Sequence, residues 1–506
     1  MTRRGPAAPL AAALVAVAVV VAIPFFAATT FHGDDHLFLA FARLAPHPLV
    51  PFVSDAHGGE YYRPLPMAVW WLLGRAGPAH APFAVLALAL HTGAALLTAA
   101  LLRALGRPVA VAAGAGGLMF LAPQNLDAAA WFSASTDLFA TAFVLAALVA
   151  TARGRMPAAA AAALAAYLSK ESAYVLPLLA VLVLTGVPWR RRLAMVAPQV
   201  VLLVAVLGAR LAVLHGRGGA GGGRAALAGK LLQIAKGLTH VFTGDGVVPE
   251  PLAFALGAAI VALVSFGAVR AGRAAAEGGA ARWLPFAFCA VAVLPLFAAE
   301  WAVGARYFYL PSVGLAWAVA EALATLGAAA RATIAAVLLL LGGMQGAQRR
   351  ADVVSYDRRV AAARRAVAAG VAAGHRVFDV MSGVKDLDLA VKEDAALASV
   401  AGELLVLTDV PASFVILPPA FAAPATACGL IAQPPLPPSG AYRFGAARVV
   451  ALARRGDEPS LPEVIQHFPD IRFVRLRPVP SGQVIARDVT DELRGALDGR
   501  GEGEQD

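Results

Sequence analysis

Long apolar runs recur along the first two-thirds of this 506-residue chain, and they constrain its fold more than any other feature. Many reach about 18 residues or more, enough for an α-helix to cross a hydrocarbon core of about 30 Å. Only 15% of the residues are charged and 59% are hydrophobic, whereas soluble proteins carry about a quarter charged residues. The runs therefore exclude a purely secreted, cytosolic or disordered protein and predict a mostly α-helical, polytopic membrane protein.

Arginine clusters between the runs predict the topology, because short loops rich in lysine and arginine stay on the cytoplasmic side. Arg3 and Arg4 place the N-terminus inside, and the apolar stretch after them is long for a signal peptide, which favours an uncleaved first span. Cytoplasmic clusters on both sides of residues 158–187 require an even number of crossings, so Lys170 is predicted to lie in the outer turn of a hairpin. The expected spans number about eleven and lie at 10–28, 82–102, 109–122, 135–150, 158–168, 173–187, 193–214, 251–269, 283–298, 308–327 and 332–347.

Acidic residues before residue 350 are distributed asymmetrically over this topology: all except Glu277 and Glu321 fall at or near the outer face. Acidic residues contribute little to membrane insertion, so the topology rule does not explain the asymmetry. Longer outer loops that need polar residues are one explanation. An outward-facing polar cavity is the favoured explanation, because several of these acids adjoin spans, where burial of a carboxylate is costly.

After about residue 350 short β-favouring runs replace the apolar ones, which predicts a separate water-soluble α/β or β-rich domain at 371–506. An arginine-rich amphipathic helix, 349–370, connects it to the transmembrane domain, 1–348. The span count places this domain outside, whereas the arginines of the connecting helix argue for the inside. Because long domains cross the membrane largely regardless of charge, the outside is favoured. The β-favouring runs lie at 376–380, 403–407, 413–417, 447–453 and 471–476.

The net charge of +10 and the two cysteines exclude further classes of function. Most of the positive charge is arginine between apolar runs, where topology determinants lie, so it does not indicate a nucleic-acid partner. Cys289 lies in an apolar run and Cys428 in a remote polar region, which argues against a disulfide framework. No P-loop, HExxH, CxxC pair or GxGxxG between a strand and a helix is present. Nucleotide-driven chemistry is therefore not indicated, and a reaction at the outer face needs a donor that the membrane delivers.

Two adjacent carboxylates, Asp34 and Asp35, lie in the first outer loop, just before an apolar and helix-compatible stretch at 37–44. Either one could simply cap that helix by accepting hydrogen bonds from its free N–H groups. The pair could also divide the work, with one carboxylate capping or orienting while the other accepts a proton. Mutual repulsion and partial burial would raise the pKa of that second carboxyl toward a useful range.

Cationic residues lie at other outer turns. Lys170 is one of five lysines in an arginine-rich chain, and it either pairs with Glu171 or offers a compact ammonium to a phosphate oxygen. Arg306, at the outer end of another span, and Arg63, in the first outer loop, are further candidate anion ligands. Asp137 begins a span, where a carboxylate either faces a cavity or suffers a large desolvation penalty.

A membrane-surface helix is predicted at 224–241, where Arg224, Lys230 and Lys236 follow one another at helical spacing after a glycine-rich stretch. Such a helix would lie in the interface and attract anionic lipid headgroups. A plain surface helix has the same pattern, and the sequence does not distinguish the two.

Five short motifs occur in a fixed order, all at outer positions: Gly33-Asp34-Asp35, Tyr61-Tyr62-Arg63-Pro64-Leu65, Trp131 with Asp137, Leu168-Ser169-Lys170-Glu171-Ser172, and Arg306-Tyr307-Phe308-Tyr309-Leu310-Pro311-Ser312. Together they resemble the GT-C superfamily of integral-membrane glycosyltransferases. The resemblance is greatest to the protein O-mannosyltransferase-like branch, which includes bacterial relatives of the tetratricopeptide-containing O-mannosyltransferases. It covers about residues 10–325, and this chain lacks the tetratricopeptide repeats of those relatives.

The resemblance implies a GT-C-like catalytic domain that takes a sugar from a polyprenyl-phosphate donor at the outer face of a bacterial cytoplasmic membrane, with inversion at the anomeric carbon. By matching motifs, Asp34 or Asp35 is the base that deprotonates an acceptor hydroxyl. Lys170 and Arg306, together with Arg63, neutralise the leaving phosphate. The residues that orient sugar or cations are Asp137, Glu171, Tyr62, Trp131 and Tyr307. Some members of the superfamily use a divalent cation, which two adjacent aspartates do not decide. The acceptor, whether protein, lipid or glycan, is not indicated.

Other functions fit some of the same features. A transporter or flippase for a lipid-linked sugar also needs outward cations and aromatic residues, but transporter sites usually lie near the bilayer midplane between repeats. Because the candidate groups here cluster at one face, an enzyme is favoured. A polymerase or ligase of envelope polysaccharide and a non-catalytic membrane scaffold are the remaining alternatives.

Overall fold

The chain divides into two compact units. The first holds the described residues within Tyr62–Pro66 and Ala81–Arg350, and the second holds those within Thr30–Tyr61, Met67–His80 and Ala351–Asp506. The computed structural model describes residues 35, 47–54, 61–75, 81–215, 227–244, 249–257, 259–260, 283–297, 305–372, 377–381, 413–414, 441–444, 447–450, 471–478, 484–488, 490–491 and 494–495.

The described residues before 377 are mostly helical. Alanine and leucine, which favour helices, dominate these segments, and a helix satisfies its own backbone hydrogen bonds in lipid. Three 3-10 segments lie within the described residues: Phe132–Ala134, Glu171–Val175 and Ala305–Phe308. The α-helices are α1 Val50–Val53, α2 Pro64–Arg75, α3 Ala81–Ala104, α4 Val109–Leu121, α5 Pro123–Ala130, α6 Ser135–Ala152, α7 Met156–Tyr167, α8 Leu176–Val183, α9 Trp189–Val213, α10 Leu227–Thr243, α11 Leu284–Ala292, α12 Leu294–Phe297, α13 Pro311–Ala324 and α14 Ala328–Ala372.

Four helices in the described part of the chain are long and apolar enough to cross a membrane, and a fifth span results if the bent pair α4 and α5 is one crossing. Each of the four coincides with or contains a predicted span, and the protein is a helical multi-pass membrane protein. The other predicted spans are shorter apolar helices or, like the first span, fall wholly or partly outside the described residues. The count of about eleven therefore stays a prediction. The four spans are Ala81–Ala104, Phe132–Ala152, Trp189–Val213 and Ala328–Ala351.

The predicted third span ends in a sharp bend. α4 stops at Leu121 and α5 starts at Pro123, and their axes differ by 54°. A residue before proline is disfavoured in helical geometry, and Ala122 takes φ −57° and ψ 122°. The sequence predicts a loop between the spans 109–122 and 135–150, whereas the structure has the extra helix α5, which leads to Trp131.

The most buried of the four spanning helices is α6: 89% of its apolar stretch is enclosed by the protein, against 17% for α9 and for the apolar part of α14. α6 packs against α3 and α7, and α13 packs against α4 and α11. A Cβ at Gly314 would lie 2.8 Å from the backbone of both Pro285 and Cys289, so α13 and α11 touch through a small residue, as membrane helices often do. Asp137 thus lies in the first turn of an enclosed helix.

The last predicted span and the predicted connecting helix at 349–370 form one helix. α14 runs without a break over 45 residues, from Ala328 to Ala372. Its alanines, leucines and arginines all favour helix, and it contains no proline. The arginine-rich stretch therefore continues the apolar one directly.

Six strands in the described part of the second unit form one mixed sheet in the order β3-β4-β2-β1-β5-β6. β1 pairs in parallel with β2 and β5, β2 pairs in parallel with β4, and the two outer pairs are antiparallel. Val377 is in register with both Ser413 and Ile471. Four β-favouring runs of the sequence overlap β1, β2, β4 and β5, the run 403–407 lies outside the described residues, and β3 and β6 were not predicted. The strands are β1 Val377–Met381, β2 Ser413–Phe414, β3 Ala441–Phe444, β4 Ala447–Val450, β5 Ile471–Pro478 and β6 Val484–Asp488.

Candidate functional site

The structure leaves the two aspartates proposed as the base untested. Asp34 lies outside the described residues, and Asp35 is a fully buried helical residue of the second unit. Their role as base therefore stays a prediction. The other predicted site residues all belong to the first unit: Tyr62, Arg63, Trp131, Asp137, Lys170, Glu171, Arg306 and Tyr307.

Lys170 and Asp137 form a buried ion pair. The Lys170 Nζ lies 2.5 Å from the Asp137 Oδ2, and both side chains are at most 5% exposed. Asp137 lies in the first turn of α6, where the helix dipole favours a negative charge, and Lys170 lies in the turn between α7 and the segment Glu171–Val175. The alternative that Lys170 pairs with Glu171 is wrong, because each of the two has a different partner.

Arg306 contacts two aromatic rings next to Lys170. Its guanidinium carbon lies 4.2 Å from the ring centroid of Trp131 and 5.3 Å from that of Tyr307. The ammonium of Lys170 lies 4.6 Å from the Tyr307 centroid, so one ring serves two cations in the geometry of a cation–π contact. These contacts bring together residues that are more than a hundred positions apart in the chain.

Like charges meet at this cluster. Burial lowers the pKa of Lys170, the Asp137 carboxylate opposes this, and the positive charges of Arg63 and Arg306 add to the lowering. Water weakens such repulsion, so it is large where the charges are close together and little water separates them. Arg63 and Arg306 therefore both lie close enough to Lys170 to act on its charge.

Glu171 is held by two arginines. Arg63 donates from Nε and Nη2 to the Glu171 Oε2, at 3.1 and 2.9 Å, and Arg210 donates to Oε1 at 2.7 Å. The backbone N–H of Leu65 also donates to the Leu168 carbonyl at 3.1 Å, which joins the start of α2 to the turn that carries Lys170. Glu171 therefore aligns Arg63 beside the cluster.

Arg210 was missed by the sequence analysis, although a signal was present. The predicted span 193–214 runs from the arginine cluster at its cytoplasmic end to the outer face, so Arg210 lies near its outer end. An arginine at that end is contrary to the positive-inside rule. Such an exception indicates a side chain retained for a specific partner, which the structure identifies as Glu171.

Charged pairs outside the cluster mark the two ends of the helical unit. Arg107, just before α4, pairs with Glu321 at 3.1 Å, and both were predicted to be on the cytoplasmic side. Beyond the other end of α4, Asp127 lies 3.6 Å from Arg349. The span count placed Arg349 on the same side as Asp127, while its charge argued for the opposite side, and the contact agrees with the span count. Which end faces the cell exterior stays a prediction.

A divalent cation is the cofactor that the resemblance to the superfamily allows, and the described residues show no site for one. Among the described residues, no group of three or more histidine, cysteine, aspartate or glutamate side chains is arranged to hold a metal ion. Asp34 lies outside these residues, so the expectation stays untested.

The predicted surface helix is present as α10, but its basic residues do not form one exposed face. Lys230 is 5% exposed, and Lys236 lies 2.8 Å from Glu250. Residues six positions apart differ by about 240° around a helix, so these two lysines point in different directions. Leu227, Leu231 and Leu232 are exposed instead. The prediction of a basic lipid-facing row that includes Lys230 is therefore wrong.

α10 packs directly against the turn that carries Arg306. A Cβ at Gly237 would lie 1.9 Å from the ring of Phe308, a side chain that is 0% exposed and cannot move aside freely. Gly237→Ala is expected to destabilise the protein by about 1–3 kcal/mol through overpacking. Gly229→Ala on the same helix meets nothing within 4 Å and should be neutral or stabilising by up to about 1 kcal/mol. Denaturant titrations of both variants in mixed micelles test this, and equal stabilities would refute the tight contact.

Comparison with known proteins found similarity at the level of structure alone. A search of protein-family models found no match, and a search of curated proteins found none either. Among solved structures, the chain is similar to ArnT from Cupriavidus metallidurans bound to undecaprenyl phosphate, with 14% identity and a TM-score of 0.42, covering 79% of this chain and 70% of that one.

A second solved structure is the Archaeoglobus fulgidus oligosaccharyltransferase tethered to an acceptor peptide, with 13% identity and a TM-score of 0.42. The match covers 73% of this chain and 61% of that one, so the chain spans less than two thirds of that protein. Both structures are GT-C membrane glycosyltransferases, the superfamily that the sequence motifs resemble.

Proposed function

We propose that this protein is a GT-C-type glycosyltransferase that moves a hexose from a polyprenyl-phosphate donor to a hydroxyl acceptor at the outer face of a bacterial cytoplasmic membrane. The observation that carries the proposal is the gathering of Lys170, Arg306 and Arg63 at one end of the apolar helical unit. The five ordered motifs support it, since these cations belong to three of them.

The cation cluster suits a leaving phosphate. A lysine ammonium carries three N–H donors, of which the Asp137 contact uses one. Arg306 presents a planar guanidinium, which binds phosphate oxygens in pairs, and its aromatic neighbours hold that plane in place. Preorganised charge of this kind stabilises the charge that develops as the leaving group departs. A bound phosphate would also offset the mutual repulsion of the cations.

The proposed reaction is a single inverting displacement. Asp34 or Asp35 accepts the proton of the acceptor hydroxyl, and the oxygen attacks the anomeric carbon of the sugar. The bond from that carbon to the phosphate oxygen breaks, and polyprenyl phosphate leaves with the electron pair. Asp137 and Glu171 keep Lys170 and Arg63 in position, while Tyr62, Trp131 and Tyr307 orient the sugar. An in-line attack depends on such prior alignment.

A lipid-linked sugar transporter would use similar chemistry, but one observation favours the enzyme. The cations contact residues at the start of α6 and in the turn after α7, at one end of the helical unit, whereas transporter sites usually lie near the middle of the membrane.

Arg306→Ala tests the proposed function most directly. The variant is expected to lower kcat/KM for release of polyprenyl phosphate from a polyprenyl-phosphate hexose by about 10²-fold, the usual effect of removing one charge-stabilising group. Cell-envelope material serves as acceptor in nanodiscs. Arg331→Ala is the matched control. Arg331 is exposed, and it lies about 27 Å along α14 from Arg349. Arg349 is the residue beside Asp127 of α5, the helix that leads to Trp131. Equal kcat/KM values for the two variants would contradict the proposal.

A further inference from the structure

The turn 305–310 (the Arg306 turn) has two functional and two anchoring residues. Arg306 belongs to the cation cluster and Tyr307 contacts it, whereas Phe308 and Tyr309, the next two residues, are at most 1% exposed. Phe308 packs against Gly237 of α10. The position of the Arg306 guanidinium therefore depends on what holds Phe308 and Tyr309.

His91, in the middle of α3, holds the Tyr309 side chain. Its Nδ1 lies 2.5 Å from the Tyr309 hydroxyl and its Nε2 lies 2.9 Å from the Phe120 carbonyl. The imidazole is fully buried and 4.7 Å from the Phe120 ring. An ionisable side chain inside an apolar span is costly and is kept for a reason, yet the proposed reaction does not use His91.

The two contacts determine the tautomer of His91. A carbonyl oxygen only accepts hydrogen bonds, so Nε2 must carry a proton and donate to Phe120. In the neutral ring Nδ1 is then an acceptor, and the Tyr309 hydroxyl donates to it. Both ring nitrogens are satisfied in this single arrangement, so the ring fixes the hydroxyl of Tyr309 relative to α3 and α4.

The backbone of Tyr309 is held as well. Its carbonyl accepts from the Ser312 Oγ at 2.7 Å, and Asn125 donates from Nδ2 to the same Oγ at 2.9 Å and to the Met119 carbonyl at 2.9 Å. These polar groups are buried, where each satisfied hydrogen bond opposes any displacement. α3, α4 and α5 are thus all linked to the Arg306 turn through Tyr309.

We propose that His91 is a positioning residue, which sets the location of Arg306 by anchoring Tyr309. The inference rests on the proposed function for its consequence, namely that Arg306 must lie where the donor phosphate binds. A displacement of about 1 Å in a positioning element can cost about 10²-fold in rate. His91 needs no contact with substrate and acts only through the turn.

The first test is independent of sugar transfer. His91→Phe and Tyr309→Phe are expected to raise hydrogen–deuterium exchange in the Arg306 turn by about tenfold, the factor for one lost buried hydrogen bond. His91→Gln keeps a donor and an acceptor and should restore most of the protection. Thr98→Val is the control, since Thr98 lies two turns along α3, is fully buried and donates only to Ala94. Unchanged exchange in His91→Phe would overturn the proposal.

A double-mutant cycle then tests the path through Arg306. Binding of undecaprenyl phosphate in nanodiscs is expected to weaken about tenfold in His91→Phe, but less than about twofold when the same change is made in Arg306→Ala, because coupled residues are not additive. Equal losses in both backgrounds would overturn the positioning role. Unchanged binding in Arg306→Ala would instead contradict the proposed function, while raised exchange would still identify His91 as the anchor of the turn.

Discussion

Lys170→Met is expected to destabilise the protein by about 3–5 kcal/mol, because it leaves the buried Asp137 carboxylate without its partner. The loss is large because both members of the pair are at most 5% exposed. Denaturant titration in mixed micelles measures it. Arg107→Met is the matched control: it breaks an ion pair whose side chains are 23% and 28% exposed, and it should cost about 1 kcal/mol or less.

The double variant Lys170→Met/Asp137→Leu separates folding from catalysis. Replacing a buried ion pair by apolar residues of similar volume is often neutral for stability, so this variant should regain most of the stability lost in Lys170→Met. Its affinity for undecaprenyl phosphate should nevertheless stay lower than that of the original protein, because the ammonium is absent. Undecaprenyl phosphate affinity equal to that of the original protein would reassign Lys170 to a purely structural pair. Stability as low as in Lys170→Met would show that Asp137 is not the cause of the loss.

Asp34→Asn and Asp35→Asn carry the second large expected effect. The variant that lacks the base should lose about 10²–10⁴-fold in kcat, the usual contribution of general-base catalysis, with undecaprenyl phosphate affinity unchanged. Replacement of the other aspartate, which caps the helix or orients a substrate, should lower kcat by a smaller factor. Glu250→Gln, the control, removes an exposed carboxylate paired with Lys236 and should retain activity. Full activity in both aspartate variants would place the base elsewhere in the chain.

The two predictions address different steps of the proposed reaction. Lys170 and Arg306 act on the leaving phosphate, so their loss should affect donor binding and the departure of the phosphate. The aspartates act on the acceptor, so their loss should leave the donor bound but unreacted. Measuring undecaprenyl phosphate affinity and turnover on the same variants separates the two groups, since an interaction made only in the transition state changes kcat without changing binding.

Several features could be predicted because they depend on neighbouring residues alone. The apolar runs predicted α3, α6 and α9 to within a few residues, since helix length and hydropathy are properties of a contiguous stretch. The motifs predicted Lys170, Arg306 and Arg63 as anion ligands, a role that stays a prediction. The structure brings Lys170 and Arg306 to one aromatic ring and Arg63 to Glu171, the neighbour of Lys170. The bend at Pro123 could also have been read locally, from the effect of proline on the residue before it.

Pairing across the fold could not be predicted in this way. Lys170 contacts Asp137, 33 positions away, rather than its neighbour Glu171, because adjacent side chains at a turn need not point the same way. Glu171 instead meets Arg63, 108 positions away, and Arg210. Each of these contacts depends on how α6, α7 and α9 pack side by side, which no local pattern reports.

By itself, the sequence determined that this chain crosses a membrane through apolar helices. It also determined where along the chain the charged residues concentrate, and which motifs lie at the ends of the predicted spans. Hydropathy and helix propensity act over a few residues, so they can be read along the chain. Only the tertiary structure decided that Asp137 holds Lys170, that two arginines hold Glu171, and that His91 anchors the turn of Arg306. The energies of ion pairs and buried hydrogen bonds fall off within a few ångströms, so they depend on distances in space rather than in sequence.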